Sequence, residues 1–288
     1  MMRVRFLWIA LLVIFISLPA LAQETTNTEI RVVPATREVA IDGNLEEWDL
    51  SGGIFMCHDA ATLADKNSVW AYMMHDEEAL YVAFRFKDRT PLINHIDPKV
   101  EPGFGWRSDC VHMRIWTDQV LHVDSYFYTD EKRPVVRINY EDLGLPAQER
   151  ERRTLEDAIA EGARAAFRVA KDGKGYTQEI ALPWRLLRQD GKAYKVGESL
   201  RCGIECLWGD PTGGAGLPKH RIADLLNPEL MQRTRFWGNK NAWGTARLVA
   251  ENDLPPSPTA KLALLPSGEE GELTLEERMA LKRTATTG

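Results

Sequence analysis

The chain carries no G-x-S-x-G nucleophile elbow, no H-E-x-x-H zinc motif, no P-loop and no C-x-x-C-H haem attachment site. Those absences remove the locally encoded routes to acyl transfer, metalloprotease chemistry, nucleotide binding and c-type haem. Paired carboxylates leave no local signature, so glycoside chemistry is not removed by them. Cysteine is scarce: Cys57, Cys110, Cys202 and Cys206 are the only four. In an exported chain they are either two disulfides or buried thiols, and their spacing does not fix a connectivity. One pairing is argued against, because Cys202 and Cys206 fall in a strand-like run where an i, i+4 separation spans ~13 Å. Positive charge is short as well, with 36 Lys and Arg against 42 Asp and Glu, a net charge of −6. With no basic stripe either, this argues against a nucleic-acid partner.

Long apolar runs are confined to the N-terminus. Arg3 and Arg5 precede an apolar run from Phe6 to Leu18, then Pro19 and the small-x-small triplet Ala20-Leu21-Ala22. This is the pattern of a signal peptide over residues 1–22, cut between Ala22 and Gln23; an uncleaved membrane anchor is the alternative. No Cys stands at the cut, which argues against a lipid-modified form. No later stretch is apolar enough to span a bilayer, so the expectation is an exported chain, periplasmic or extracellular, without a membrane contact after cleavage.

From Glu29 to Val249 short alternating runs are separated by turn residues. Leu80, Val82, Phe84 and Phe86 alternate with Tyr81, Ala83 and Arg85, and Leu200, Cys202, Ile204, Cys206 and Trp208 form another period-two set. Such runs in series predict an all-β, antiparallel β-sandwich of jelly-roll type. Asp172-Gly173-Lys174-Gly175 predicts a hairpin turn. Thr117-Asp118-Gln119 predicts another, in which Trp116 faces Val120, Ile115 faces Leu121, Arg114 faces His122, Met113 faces Val123 and His112 faces Asp124. The stretch 146–163, rich in Glu, Arg, Leu and Ala, predicts one short helical insertion. The domain reading is a signal peptide 1–22, a lead-in 23–30, a sandwich 31–250, and a proline-rich linker with a charged tail over 251–288.

The polar side of the 117–119 hairpin collects His112, Arg114, Trp116, His122, Asp124, Tyr126 and Tyr128. An ordinary wet face would carry Lys, Glu and Thr. Imidazole, guanidinium and aromatic groups suit a ligand rich in hydroxyls, since rings stack on the C–H face of a sugar while charged planar groups bond its hydroxyls. The plain alternative is a sheet face covered by the helical insertion. Among the tryptophans, Trp48, Trp184 and Trp243 stand in strand-like or strand-edge contexts and read as core. Trp106, among Gly103, Gly105 and Arg107, and Trp237, ahead of Gly238-Asn239-Lys240-Asn241, read as loop residues that need a partner.

Several ordered pieces resemble the family 9 carbohydrate-binding modules, within the wider DOMON-like sandwiches. They are Ile41-Asp42-Gly43 with Trp48, Leu80-Tyr81-Val82 ending in Asp88, Trp106 with Asp109 and Val111, Tyr176 with Glu179 and Pro183-Trp184, Gly197, and the closing Trp243-Gly244 strand to Leu248. The likeness spans about Val33 to Val249. It implies a non-catalytic protein that binds an oligo- or polysaccharide through a tryptophan clamp, Trp106 and Trp237, with His112, Arg114, Asp124 and Tyr126 holding hydroxyls. Characterised members place an acid where this chain has His112. The resemblance also implies structural calcium, for which Asp42, Asp88 and Asp109 are the candidates; capping of turns is the reading the residues favour. Two other functions remain. The DOMON-like group includes b-type haem carriers, which here would need Met113 with His112, His122 or a lysine as axial pair. A hydrolase would need Glu179 with a second carboxylate.

Overall fold

The computed structural model describes residues 24–141, 152–213, 218–227 and 233–251. The expected signal peptide, and all but the first residue of the expected tail, lie outside these residues. Within them the chain forms thirteen strands, β1 (Glu29–Pro34), β2 (Ile54–Cys57), β3 (Ser68–His75), β4 (Ala79–Lys87), β5 (Cys110–Trp116), β6 (Val120–Tyr128), β7 (Arg133–Glu141), β8 (Arg152–Leu155), β9 (Arg164–Val169), β10 (Gly175–Pro183), β11 (Ser199–Trp208), β12 (His220–Asp224) and β13 (Gly244–Leu248), and three short helices, α1 (Ala60–Leu63), α2 (Trp184–Leu187) and α3 (Arg233–Gly238). The strands make one mixed sheet ordered β8-β7-β6-β5-β11-β13-β1-β3-β4-β10-β9, with β2 added to β3 and β12 to β11. Among the described residues no helix is long and apolar enough to cross a membrane.

The sheet curls so that one face closes on itself as a β-sandwich. Val82, Phe84 and Phe86 of β4 (Ala79–Lys87) and Ile180 of β10 (Gly175–Pro183) share one buried cluster with Val111, Met113 and Ile115 of β5 (Cys110–Trp116) and Val123 of β6 (Val120–Tyr128). These residues lie on the two arms of the sheet order, and each fully buried one contributes on the order of 1.5–3 kcal/mol. The 117–119 hairpin has the expected register at all of the named pairs, Trp116 to Val120 through His112 to Asp124. The second hairpin is also found, with Gly173 at φ 67° and Gly175 at φ 141°, where a side chain would be strained.

Two expectations need correction. The sheet is not wholly antiparallel: β1 (Glu29–Pro34) runs parallel to both β13 (Gly244–Leu248) and β3 (Ser68–His75). The described part of 146–163 is not helical, since Arg152–Leu155 forms strand β8, paired to β7 (Arg133–Glu141). Helix propensity is there overridden by tertiary pairing. The open edge of β7 takes up the backbone donors, Arg153 lies over the Tyr140 ring at 4.8 Å, and the following turn is anchored by Ala158 N–H donating to Val136 O at 2.8 Å.

The outer face of β3, β4 and β10 is covered by residues 35–53, which pack Val39, Leu45 and Trp48 against Tyr81 and Ala181. Glu179 of β10 faces this second core and is fully buried. Its Oε2 accepts from the backbone N–H of Asp42, at 2.9 Å, and of Gly43, and its Oε1 accepts from Trp48 Nε1 at 2.6 Å. Gly43 has φ 86°, a conformation that aims its N–H at the acid and favours glycine. The Ile41-Asp42-Gly43…Trp48 and Tyr176…Glu179 pieces are thus two halves of one contact. Burial raises the Glu179 pKa to about 7 in spite of its three donors.

The four cysteines are buried and free. Cys202 and Cys206 lie on the same strand, β11 (Ser199–Trp208), as the spacing argument requires. Burial pushes the Cys57 thiol up to about 11 and the Cys202 thiol to about 12.

Two outcomes follow from these contacts. Glu179→Gln leaves one donor facing an amide N–H, so it is expected to lower the Tm on the order of 5 °C. Because the folded pKa of Glu179 is raised, its contribution is complete below pH ~4.5 and is lost as pH rises through about 7. The wild-type advantage over Glu179→Gln should therefore shrink across that window in thermal melts. Thiol titration should find four slow thiols in the native chain and four fast ones after denaturation without reductant; fewer would mean a disulfide.

Candidate functional site

Alternation that sends Met113, Val123 and Ile204 into the core sends their neighbours to the opposite face. His112 and Arg114 of β5, His122 and Asp124 of β6 and Glu205 of β11 therefore share one surface. Register sets His112 between Asp124 on one side and Glu205 on the other. The three side chains are nearly inaccessible, at 1%, 4% and 0% relative exposure. His112 Nε2 lies 3.3 Å from Asp124 Oδ1, and its Nδ1 lies 3.3 Å from Glu205 Oε2. His122 Nε2 is 2.9 Å from the same Asp124 Oδ1, and Arg137 reaches Asp124 Oδ2 at 3.4 Å. Arg114 pairs with Glu141 at 3.2 Å. Burial lowers the His122 pKa to about 4, so its ring is neutral at pH 7. Burial works to raise Asp124, but the facing imidazoles and Arg137 outweigh it and hold the carboxyl well below its usual range.

Among the described residues, two segments cover this face. Opposite Arg114, β11 carries Gly203, and a Cβ there would come within 3.3 Å of the Phe236 ring. Phe236 belongs to helix α3 (Arg233–Gly238), so Trp237 is helical where the sequence reads as loop. Phe236 and Trp243 lock into one buried cluster against which Trp237 packs. The Trp237 ring is held edge-on to His112 and His122, 5.0 Å from each, with the Arg114 guanidinium 5.0 Å from its centroid. The second segment is a 3-10 turn, Gly105–Arg107, which presents Trp106. Tyr126 supports it from below, its ring against Gly105 and its hydroxyl donating to Ile96 O at 3.1 Å.

Trp106 and Trp237, both half-buried, line one cavity of about 510 Å³ together with Gly103, His112, His122, Glu205, Leu207 and Arg221. Of the six residues singled out from sequence, Trp106, Trp237 and His112 reach this cavity. Arg114, Asp124 and Tyr126 do not line it and instead hold the groups that do. Sequence reasoning missed Glu205 and Arg221. Glu205 did leave a trace, an acid between the apolar Ile204 and Cys206 in mid-strand, but its facing of His112 depends on the β5–β11 pairing.

Two groups of potential metal ligands converge among the described residues: His112, His122 and Asp124, and Asp42, Glu47 and Glu179. The carboxylate of Glu179 is already filled by three N–H donors. The calcium candidates each accept backbone hydrogen bonds. Asp42 accepts from Asn44 N–H at 2.8 Å, Asp88 from Thr90 N–H at 2.8 Å, and Asp109 from Ile93 and Gly209 N–H at 2.9 and 2.8 Å. These bonds cap backbone, the role the residues favour, while one oxygen, Asp88 Oδ2, is buried without a hydrogen bond. Haem ligation by Met113 with either histidine meets a geometric obstacle, since Met113 points into the main core and His112 and His122 point away from it.

No curated protein matches this sequence. Among solved structures, a family 9 carbohydrate binding module from Caldicellulosiruptor kristjanssonii in complex with cellotriose is 14% identical over 80% of this chain and 100% of that one, with a TM-score of 0.48. The module from the same organism in complex with glucose is 13% identical over 78% and 98%, with a TM-score of 0.48. A candidate carbohydrate-binding protein from Bacteroides uniformis is 11% identical over 77% and 100%, with a TM-score of 0.51, which is a likeness of fold. The family model for carbohydrate family 9 binding domain-like proteins matches residues 41–251, the stretch that carries both the Glu179 knot and the tryptophan-lined cavity, and the chain belongs to that family.

Proposed function

We propose that this chain is an exported, non-catalytic saccharide-binding protein whose ligand enters the cavity between Trp106 and Trp237. One observation carries the reading: two tryptophans far apart in sequence, each half-exposed, are brought to the same cavity by separate segments. Indole faces bury the C–H side of a pyranose, and Arg221, the half-buried polar member of the cavity, is placed to bond its hydroxyls above a floor set by His112 and Glu205. Arg114, Asp124 and Tyr126 contribute by fixing those groups, which lowers the ordering cost on binding. Membership of a family of binding domains supports binding rather than turnover, and Glu179, the acid a hydrolase would enlist, lies in another part of the fold.

A glycan array that includes cello-oligosaccharides, followed by calorimetry on the hits, tests the reading. Trp106→Ala and Trp237→Ala are each expected to weaken binding at least tenfold, equivalent to about 1.4 kcal/mol, while leaving the far-UV spectrum unchanged. Equal binding by wild type and both variants would remove the clamp. For export, expression with residues 1–22 intact should release a chain whose mass begins at Gln23; full-length protein retained in the membrane fraction would argue for an anchor.

A further inference from the structure

We infer that His112, His122 and Asp124 form a binding site for one divalent first-row transition-metal ion beneath the tryptophan-lined cavity. The inference stands on the donor geometry and does not depend on what fills the cavity. A ring nitrogen of His112, a ring nitrogen of His122 and a carboxylate oxygen of Asp124 all lie within 4.8 Å of one another. The two contacts to Asp124 Oδ1 measure 3.3 and 2.9 Å. Ligand atoms at about 2.0–2.2 Å from a common ion stand roughly 2.9–3.4 Å apart in tetrahedral or octahedral arrangement, so both contacts to Asp124 Oδ1 have the spacing of ligands sharing an ion.

The second observation is that the converging atoms lack hydrogen bonds. His122 Nε2 and Asp124 Oδ1 are buried and neither makes one, although they are 2.9 Å apart. Buried polar atoms are nearly always satisfied, and this pair faces a third acceptor. If His112 donates from Nδ1 to Glu205 Oε2, its Nε2 presents a lone pair to the Asp124 carboxylate. With that tautomer a proton on His122 Nε2 serves one contact to Oδ1, and only a proton on each Nε2 would serve both. A cation at the common point satisfies all three.

The surroundings have the form that metal sites take. Glu205 behind His112 makes a carboxylate–histidine pair that fixes the ring and leaves Nε2 free, and Arg137 holds Asp124 through the other oxygen. Two imidazoles with one carboxylate select zinc, iron, nickel or copper over calcium or magnesium. His112 and His122 also line the cavity, so open coordination positions would face it under Trp237.

The test uses chelator-stripped protein titrated with Zn²⁺ by calorimetry, without any sugar. One equivalent is expected to bind. His122→Ala and Asp124→Asn should weaken binding at least 100-fold, and Glu205→Gln by 10–100-fold. His58→Ala should leave it unchanged, which separates this site from adventitious binding near the His58–His220 pair, whose rings lie 6.0 Å apart. Absence of binding by the wild type, or undiminished binding in folded His122→Ala and Asp124→Asn, would overturn the inference. Should those variants fail to fold, the Cu²⁺ electron paramagnetic resonance spectrum of the wild type decides. Two equatorial nitrogens support the site; a spectrum with one or none overturns it.

Discussion

The controlling constraint is that successive side chains of a strand point to opposite faces, so every apolar residue sent inward obliges its neighbour to go the other way. On β5, β6 and β11 the inward set is Met113, Val123 and Ile204, and the neighbours are His112, Arg114, His122, Asp124 and Glu205. Ionisable groups taken out of water cost several kcal/mol each unless paired, so this face demands both internal partners and a cover. Register supplies the partners, placing an imidazole between two carboxylates and a guanidinium beside a third. The 93–107 segment and α3 supply the cover, and the tryptophans come with it.

Much of this was legible in local pattern. The hairpin at 117–119 could be registered residue by residue because only one pairing separates apolar from polar side chains. Trp48, Trp184 and Trp243 could be assigned to the interior, and all three are fully buried. What was not legible depends on contacts between distant segments. Strand β8 looked helical because its composition favours a helix; the free edge of β7 decides otherwise. Trp237 looked like loop because the glycine and asparagines after it mask the short helix before it. Glu205 could be seen as an oddly placed acid, but its role exists only once β11 lies beside β5.

The buried acids of these two regions illustrate different uses of the same chemistry. Glu179 is surrounded by N–H donors and ties the 35–53 segment to the sheet, a purely architectural task. Asp124 and Glu205 flank an imidazole, Asp124 also meets a guanidinium, and Glu205 borders a cavity. Charge alone would not distinguish them. The identity of the partners does, and so does what lies on the other side of the carboxylate.

The seam where β1 lies parallel between β3 and β13 has a further consequence. Among the described residues β13 is the last strand made, and it closes one side of β1, the first. Until it arrives, β1 offers an unpaired backbone edge, and β11 waits for the same neighbour. The sandwich can therefore form its arms early but cannot be sealed in order of synthesis. Such non-local closure is slow, and partly made chains with open edges are prone to pair with one another. A truncation before Gly244 would strand two interior strands at once, a far larger loss than the five residues of β13 suggest.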